Sequence, residues 1–129
     1  MQIKLTMNTT KINEVEINGV VYVPKSQTNA PAKGDEYPIY MVRTHSAGVF
    51  YGELKRREGK EVILTNARRV WYWSGAASLS QLAQSGTTKP MECKFPEPVD
   101  EVILLEAIEL IPVTGIALET LNAVPIWRL

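Results

Sequence analysis

The sequence PIYMVRTHSAGVFYGELKRREGKEVILTN, residues 38–66, decides the fold of this chain. Short runs rich in β-branched and aromatic residues alternate in it with clusters of small or polar residues. This pattern is typical of antiparallel strands joined by tight turns, and it predicts an α+β domain. The predicted turns are 45–48 and 57–60. The predicted strands are 38–44, 49–56, 61–66 and, after a kink or bulge, 67–73.

The residues before this stretch predict a separate hairpin. Residues 14–24, EVEINGVVYVP, place Asn18-Gly19 between β-branched residues, and this dipeptide suits a two-residue turn with positive φ at both positions. Polar residues with Pro and Gly follow at 25–37 and predict a linker or mobile loop. We therefore predict an N-terminal hairpin and linker at 1–36, and a single α+β ligand-binding domain at 37–129.

Residues 74–85, SGAASLSQLAQS, change to a helical period. Either Ser74 or Ser78 is suited to cap this helix, because a serine hydroxyl accepts a hydrogen bond from the first-turn N–H groups. Gly86 is suited to end it.

Residues 99–113 allow a helix by composition, but their β-branched residues favour one or two strands bent near Glu106-Ala107. Thr114 then caps a short helix at 115–122. The predicted fold class is α+β, an antiparallel β-sheet meander with two short helices and an N-terminal β-hairpin appendage.

Composition argues against several classes of protein. The 129 residues include 14 basic and 14 acidic ones, and this zero net charge argues against nucleic-acid binding. The lone Cys93 cannot form an internal disulfide, and with one histidine the chain lacks the soft ligands of a closed zinc site. We expect no metal and no cofactor. No apolar run approaches the roughly 20 residues of a membrane span, and no signal peptide is recognisable, so we expect a cytoplasmic protein.

The sequence offers little for catalysis. Cys93 and His45 are the only thiol and imidazole, and a single cysteine is more often a small buried residue than a nucleophile. The acidic residues between 100 and 109 are solvated positions if they lie on a strand. Neither a phosphate-loop lysine motif nor a dinucleotide fingerprint occurs. We therefore expect a binding protein and not an enzyme.

The segment ARRVWYW, residues 67–73, is the strongest candidate for a binding face. Alternation along a strand places Arg69, Trp71 and Trp73 on one face, with Arg68 and Val70 on the other. Indoles stack on nucleobases, and arginine binds phosphate through two parallel N–H groups. The alternative is that both tryptophans belong to the core and the arginines to the sheet surface.

Two turns of small residues strengthen the ligand-binding hypothesis. Residues 74–78, SGAAS, open a predicted helix, where unpaired N–H groups and the positive end of the dipole attract anions. Residues 45–48, HSAG, follow Arg43 in a similar way. The predicted ligand-binding residues are Arg43, His45, Ser46, Asn66, Arg68, Arg69, Trp71, Trp73, Ser74, Gly75 and Ser78.

The chain ends in AVPIWRL, and large apolar residues at a terminus are unusual because termini are commonly disordered. A tryptophan at position 127 is therefore expected to be docked, either on its own core or on another subunit.

Four segments resemble a family of small phage and prophage proteins, the Thoeris anti-defence sponges. They are RTHSAGVFYGEL (43–54), NARRVWYWSGAASLSQLAQSG (66–86), CKFPEPVDEVILLEAIELIPVT (93–114) and VPIW (124–127). The resemblance covers residues 40–127 and leaves the N-terminal hairpin outside.

The resemblance implies a non-enzymatic sponge that sequesters a cyclic nucleotide-type immune signal, a glycocyclic ADP-ribose or a cyclic oligonucleotide of the CBASS defence system. It also implies a homo-oligomer, a dimer or hexamer, in the cytoplasm of an infected bacterial host cell. The alternative is a non-enzymatic phage protein-interaction or virion-associated module, which would bind a protein partner and no small molecule.

Overall fold

The computed structural model describes residues 15–17, 20–22 and 31–129. The chain divides into two compact units, Met1–Ala30 and Pro31–Leu129. None of the helices in these described ranges is long and apolar enough to cross a membrane.

The first unit contains a pair of short antiparallel strands, β1 (Val15–Ile17) and β2 (Val20–Tyr22). These strands confirm the paired segments of the predicted hairpin. The Asn18-Gly19 turn, the end of the hairpin at Pro24 and the first part of the predicted linker lie outside the described residues.

The second unit is built on a five-stranded antiparallel sheet. Its strands lie in the order β6-β5-β4-β3-β7, and sequence neighbours from β3 to β6 are also neighbours in space. This arrangement confirms the predicted α+β fold with a β-sheet meander. The strands are β3 (Ile39–Thr44), β4 (Val49–Glu58), β5 (Glu61–Arg69), β6 (Val99–Leu104) and β7 (Ala107–Pro112).

The two edge strands of this sheet are joined by Leu105 and Glu106 alone, as predicted for strands bent near this point. Because two residues span only a few ångströms, the sheet curls until its edges approach each other at this corner. Two backbone hydrogen bonds hold the corner. The His45 N–H donates to the Glu106 carbonyl at 2.9 Å, and the Ala107 N–H donates to the Lys60 carbonyl at 3.0 Å.

Alternation of side chains gives the curled sheet an apolar cluster on each face. The inner cluster, on the concave side, contains Val42, Phe50, Val62, Leu64, Ala67, Leu104 and Ala107. The outer cluster packs the other face against the helices and the loop before β6. Its largest fully buried members are Phe95, Met41, Leu82 and Leu121.

Two short helices cover the outer cluster, α1 (Leu79–Ser85) and α2 (Gly115–Asn122). Ser78 caps α1 by accepting a hydrogen bond from the Gln81 N–H, and Thr114 caps α2 in the same way. Gly86 ends α1 at φ 81°, a conformation that favours glycine. Both predicted helices are confirmed. Of the two serines predicted as possible caps of α1, Ser78 is the one that caps it.

Residues 31–37 were predicted to be part of a linker, and here the structure differs. The Ala32 N–H donates to the Val113 carbonyl at 2.6 Å, and the Ile39 N–H donates to the Ala32 carbonyl at 2.7 Å. The second compact unit therefore begins at Pro31 and not at Tyr37. A composition rich in Pro, Gly and charged residues concealed these hydrogen bonds to the sheet.

The carboxylate of Glu53 fixes the same segment from the sheet side. Glu53 is only 4% exposed, and its carboxylate accepts hydrogen bonds from the backbone N–H groups of Glu36 and Tyr37 and from Asn66 Nδ2. Burial by itself raises the pKa of Glu53, but these hydrogen bonds and one from the Asp35 backbone lower it more, so the net pKa lies below its ordinary value.

Candidate functional site

A bulge in β5 sets the geometry of the candidate site. Asn66 has φ 48°, and the pairing of β4 with β5 shifts by one residue opposite Gly52. The bulge confirms the predicted kink, but the ladder ends at Arg69 and not at residue 73. After the Val70 N–H donates to the Val49 carbonyl, the chain leaves the sheet, and Tyr72 forms only an isolated bridge with Lys94.

After the bulge, regular alternation along β5 places the two adjacent arginines on opposite faces of the sheet. Arg68 is buried on the outer face, where it donates to the carbonyls of Phe95 and Pro96. Arg69 lies on the other face with its guanidinium carbon 4.3 Å from the centroid of the Phe50 ring, and its Nη1 donates to the Ala47 carbonyl. The two guanidinium groups therefore cannot serve one ligand together.

Arg69, Trp71 and Trp73 line one open depression of about 530 Å³, which we call the indole depression. Its other walls are residues 46–49, the turn between β3 and β4, and Val70. Gly48 holds this turn at φ 90°, and small side chains at 46–48 keep the wall low. The structure thus brings together the side chains that strand alternation placed on one face and one of the two small-residue turns.

The two tryptophans of the depression differ in burial. Trp73 is half-buried against the outer cluster, and its Nε1 donates to the Ala76 carbonyl at 3.3 Å. Trp71 is 63% exposed, so it does not belong to the core. The alternative in which both indoles are core residues is therefore wrong for Trp71 and partly right for Trp73.

The indole of Trp127, near the C-terminus, stacks on the indole of Trp71. The two indoles stack with centroids 6.1 Å apart and planes inclined by 14°, and Lys94 Nζ lies 5.7 Å from the centroid of Trp127. The Trp127 N–H donates to the Phe95 carbonyl at 2.9 Å, which fixes the tail. Sequence reasoning predicted a docked tail without identifying Trp71 as its partner. Chain-terminal position was the only signal, and it says nothing about which surface receives the indole.

The remaining predicted site residues lie outside the indole depression, apart from Ser46. Arg43 is an exposed residue of β3 whose Nε pairs with Glu109 at 2.9 Å. His45 is exposed on the turn, and Ser46 lines the depression while its Oγ donates to Glu106 at 3.0 Å. Asn66 lines a different groove, together with Arg68.

The helix start that was predicted to hold an anion is occupied by contacts within the chain. The Ala77 N–H donates to Gln81 Oε1 at 3.0 Å, so a side chain of the helix itself takes up this donor. The Ser74 and Gly75 carbonyls accept hydrogen bonds from the Thr87 hydroxyl and the Thr88 N–H. The Ser78 hydroxyl serves as the cap of α1. The small side chains of this segment let the loop at 87–88 pack closely against it. The same small side chains would also allow a ligand to approach, so composition alone did not distinguish the two.

Cys93 is buried, and the groups around its thiol are not those that activate a nucleophile. Its Sγ lies 3.5–3.8 Å from the Ser74 carbonyl and the Thr87 hydroxyl, with no charged group among these partners. His45, by contrast, is exposed on the β3–β4 turn. Within the described ranges, no group of three or more His, Cys, Asp or Glu side chains is placed to hold a metal ion.

Comparison with known proteins gives a family and no function. The family model described as a domain of unknown function (DUF6948) matches residues 38–121, from the start of β3 into α2. The matched region holds most of the indole depression and stops before Trp127. No curated protein and no solved structure matches the chain.

Proposed function

Since the chain belongs to the DUF6948 family, a domain of unknown function, we propose its role from its own site: it binds a cyclic nucleotide-type signal in the indole depression and sequesters it without cleavage. The resemblance of its sequence to the anti-defence sponges supports sequestration as the purpose of binding. In this proposal the protein acts in the cytoplasm of an infected bacterial host, as a homo-oligomer that holds one class of small ligand.

One observation carries the proposal, namely the exposed indole of Trp71 beside the guanidinium of Arg69 in one depression. Trp127 stacks against the Trp71 indole, which still has 63% of its surface exposed. A supported, solvent-facing indole is a stacking platform for a nucleobase, and such stacking contributes about 1–3 kcal/mol per base.

Arg69 supplies the charge for a pyrophosphate. Within the described part of the chain no carboxylate lies within ion-pair distance of its guanidinium, and its hydrogen bond to the Ala47 carbonyl uses one of five N–H groups. The cation–π contact with Phe50 holds the group in place without neutralising it. The remaining N–H groups are the type that binds phosphate oxygens in pairs.

The lining also supports binding without cleavage. Among the described residues that line it there is no carboxylate, imidazole or thiol. Ser46 contributes the one hydroxyl group among these residues, and this group donates to the exposed carboxylate of Glu106, which lies outside the lining.

The test is calorimetric titration of the purified protein with cyclic ADP-ribose, its glycocyclic isomers and ADP-ribose. Chromatography of the ligand released by heat then reports whether it is intact. We expect a saturable interaction with at least one cyclic compound, recovered unchanged. Trp71→Ala should weaken it about 5- to 150-fold, which corresponds to the loss of one stacking contact.

Tyr72→Ala is the matched control, because Tyr72 is a neighbouring aromatic residue of similar exposure that does not line the depression. This variant should bind as the wild type does. Absence of binding by every compound, recovery of a hydrolysed product, or equal losses in the Trp71 and Tyr72 variants would each overturn the proposal.

A second candidate function, docking of a protein partner, is favoured by the exposed apolar groups near the tail. Ile126 and Leu129 are exposed close in sequence to Trp127, which contacts Trp71. In that case the Trp71→Ala variant should lose a protein partner from phage-infected cells, while no cyclic nucleotide should bind the wild type.

A further inference from the structure

Arg68 is a buried cation whose hydrogen-bond partners are all neutral. The residue is 8% exposed, and its Nε and Nη2 donate to the carbonyls of Pro96 and Phe95 at 3.1 and 3.2 Å. Of the ion pairs formed among the described residues, none includes Arg68, and the nearby Glu97 is paired with Arg128 instead.

A charge in this position is costly unless something compensates it. Removing a guanidinium from water carries a penalty that neutral carbonyls and the Phe95 ring, 5.3 Å from its carbon, offset only in part. The two hydrogen bonds to these carbonyls use two of the five N–H groups of an arginine, which leaves three for other acceptors.

Arg68 lines an open groove of about 410 Å³, which we call the Arg68 groove. It lies on the face of the sheet opposite Arg69 and shares no lining residue with the indole depression. Pro98, Pro125 and Ile126 supply its apolar wall, and the polar wall is formed by Tyr51, Asn66 and Asn122.

The hydrogen bonds around the groove determine which polar atoms remain for a ligand. The Tyr51 hydroxyl donates to Asn122 Oδ1 at 3.0 Å, so the Asn122 amide nitrogen is left as a donor. Asn66 Nδ2 donates to Glu53 at 2.7 Å, so the Asn66 carbonyl oxygen is left as an acceptor. The remaining guanidinium N–H groups and the Asn122 amide therefore form a donor set suited to an oxyanion.

We propose that the Arg68 groove is a second ligand site, which binds a small molecule carrying a carboxylate or phosphate group next to an apolar body. The oxyanion pairs with Arg68 and Asn122, and the apolar body lies against the two prolines. This site is independent of the indole depression and of the ligand proposed for it.

The experiment is an NMR titration of the ¹⁵N-labelled protein at constant ionic strength, with benzoate and phenyl phosphate as probes and chloride as the reference anion. The Arg68 Nε–Hε resonance should shift saturably with one or both probes. Preference for either probe distinguishes a carboxylate ligand from a phosphate ligand.

Arg68→Lys should weaken the preferred probe at least tenfold, because lysine lacks the planar pair of N–H groups. Arg56→Lys, at an exposed arginine of β4 that pairs with Glu58 and lines neither the Arg68 groove nor the indole depression, is the control and should leave the affinity unchanged. Asn122→Ala, at an exposed residue, gives a second reading if the buried substitution prevents folding. It should weaken the probe severalfold.

The proposal is overturned if neither probe shifts the Arg68 resonance saturably, or if Arg68→Lys and Arg56→Lys weaken binding equally. Trp71→Ala should not change the titration. A loss in that variant would place the anion in the indole depression and remove the second site.

Discussion

Neutralising the buried carboxylate of Glu53 tests how the segment at 31–37 is held to the sheet. In Glu53→Gln, the side-chain oxygen can keep accepting from the backbone N–H groups of Glu36 and Tyr37. The new amide nitrogen then faces Asn66, whose own amide can rotate to accept from it. The substitution therefore preserves the number of hydrogen bonds and removes the charge.

The size of the effect follows from these three bonds. A hydrogen bond to a charged acceptor contributes about 1.5–3 kcal/mol and a neutral one about 0.5–1.5 kcal/mol, so each bond loses roughly 1 kcal/mol. The bonds share one carboxylate and are only part-buried, so their losses are not additive and solvent screening reduces them. We expect Glu53→Gln to lower the free energy of unfolding by about 1–2 kcal/mol at pH 7.

The same reasoning fixes the pH dependence. Because the pKa of Glu53 is lowered in the folded state, the ionised carboxylate contributes stability above the unfolded-state pKa of this group. That contribution is lost as the pH falls through the folded-state pKa. The difference between wild type and Glu53→Gln should thus be full at pH 7 and should shrink and vanish in acid.

Urea denaturation followed by tryptophan fluorescence at pH 7 and in acid measures both quantities. Glu101→Gln, which removes an exposed ion pair with Lys55, is the control and should change stability by less than about 1 kcal/mol. Equal stability of wild type and Glu53→Gln at pH 7, or a difference independent of pH, would refute the reasoning.

Three further predictions concern the tail, a helix end and the ion pair between β3 and β7. Trp127→Ala removes the stacking contact with Trp71, so it should weaken nucleotide binding severalfold in calorimetry and lower the free energy of unfolding by about 1 kcal/mol. Full affinity in this variant would show that Trp71 binds the ligand without this contact. Gly86→Ala should lower stability by about 2–4 kcal/mol in urea, because φ is 81° and the new Cβ would collide with α2. Arg43→Ala breaks only an exposed pair with Glu109, so it should change stability by less than about 1 kcal/mol and leave ligand affinity unchanged. A loss of affinity in this last variant would place Arg43 in the site.

The parts of the fold that could be predicted are those with local signals. The β3 to β5 meander follows from short apolar runs with turns between them. Both helices have a hydroxyl cap, at Ser78 and Thr114, immediately before the helical residues. The bend between β6 and β7 was also visible, because β-branched residues flank Glu106. Each of these signals lies within about ten residues of the structure that it specifies.

The parts that could not be predicted depend on distant residues. The composition of residues 31–37 is that of a linker. Their N–H groups are held by Glu53, which is 17 residues from Glu36 in the sequence and leaves no local signal. The end of β5 at Arg69 depends on the isolated bridge between Tyr72 and Lys94. Alternation did separate Arg68 from Arg69, but it could not show that Arg68 enters a different groove.

The corner at Leu105 and Glu106 has a consequence for the order of folding during synthesis. One edge of β3 is completed only by β7, where Tyr40 lies opposite Pro112. At a ribosomal rate of about 5–20 residues per second, β3 emerges roughly 3–14 s before its partner. During that interval a nascent chain exposes an unpaired edge strand, which is a template for pairing with other chains. The edge of β3 is therefore covered only when β7 has been synthesised, and the exposed edge then passes to β7.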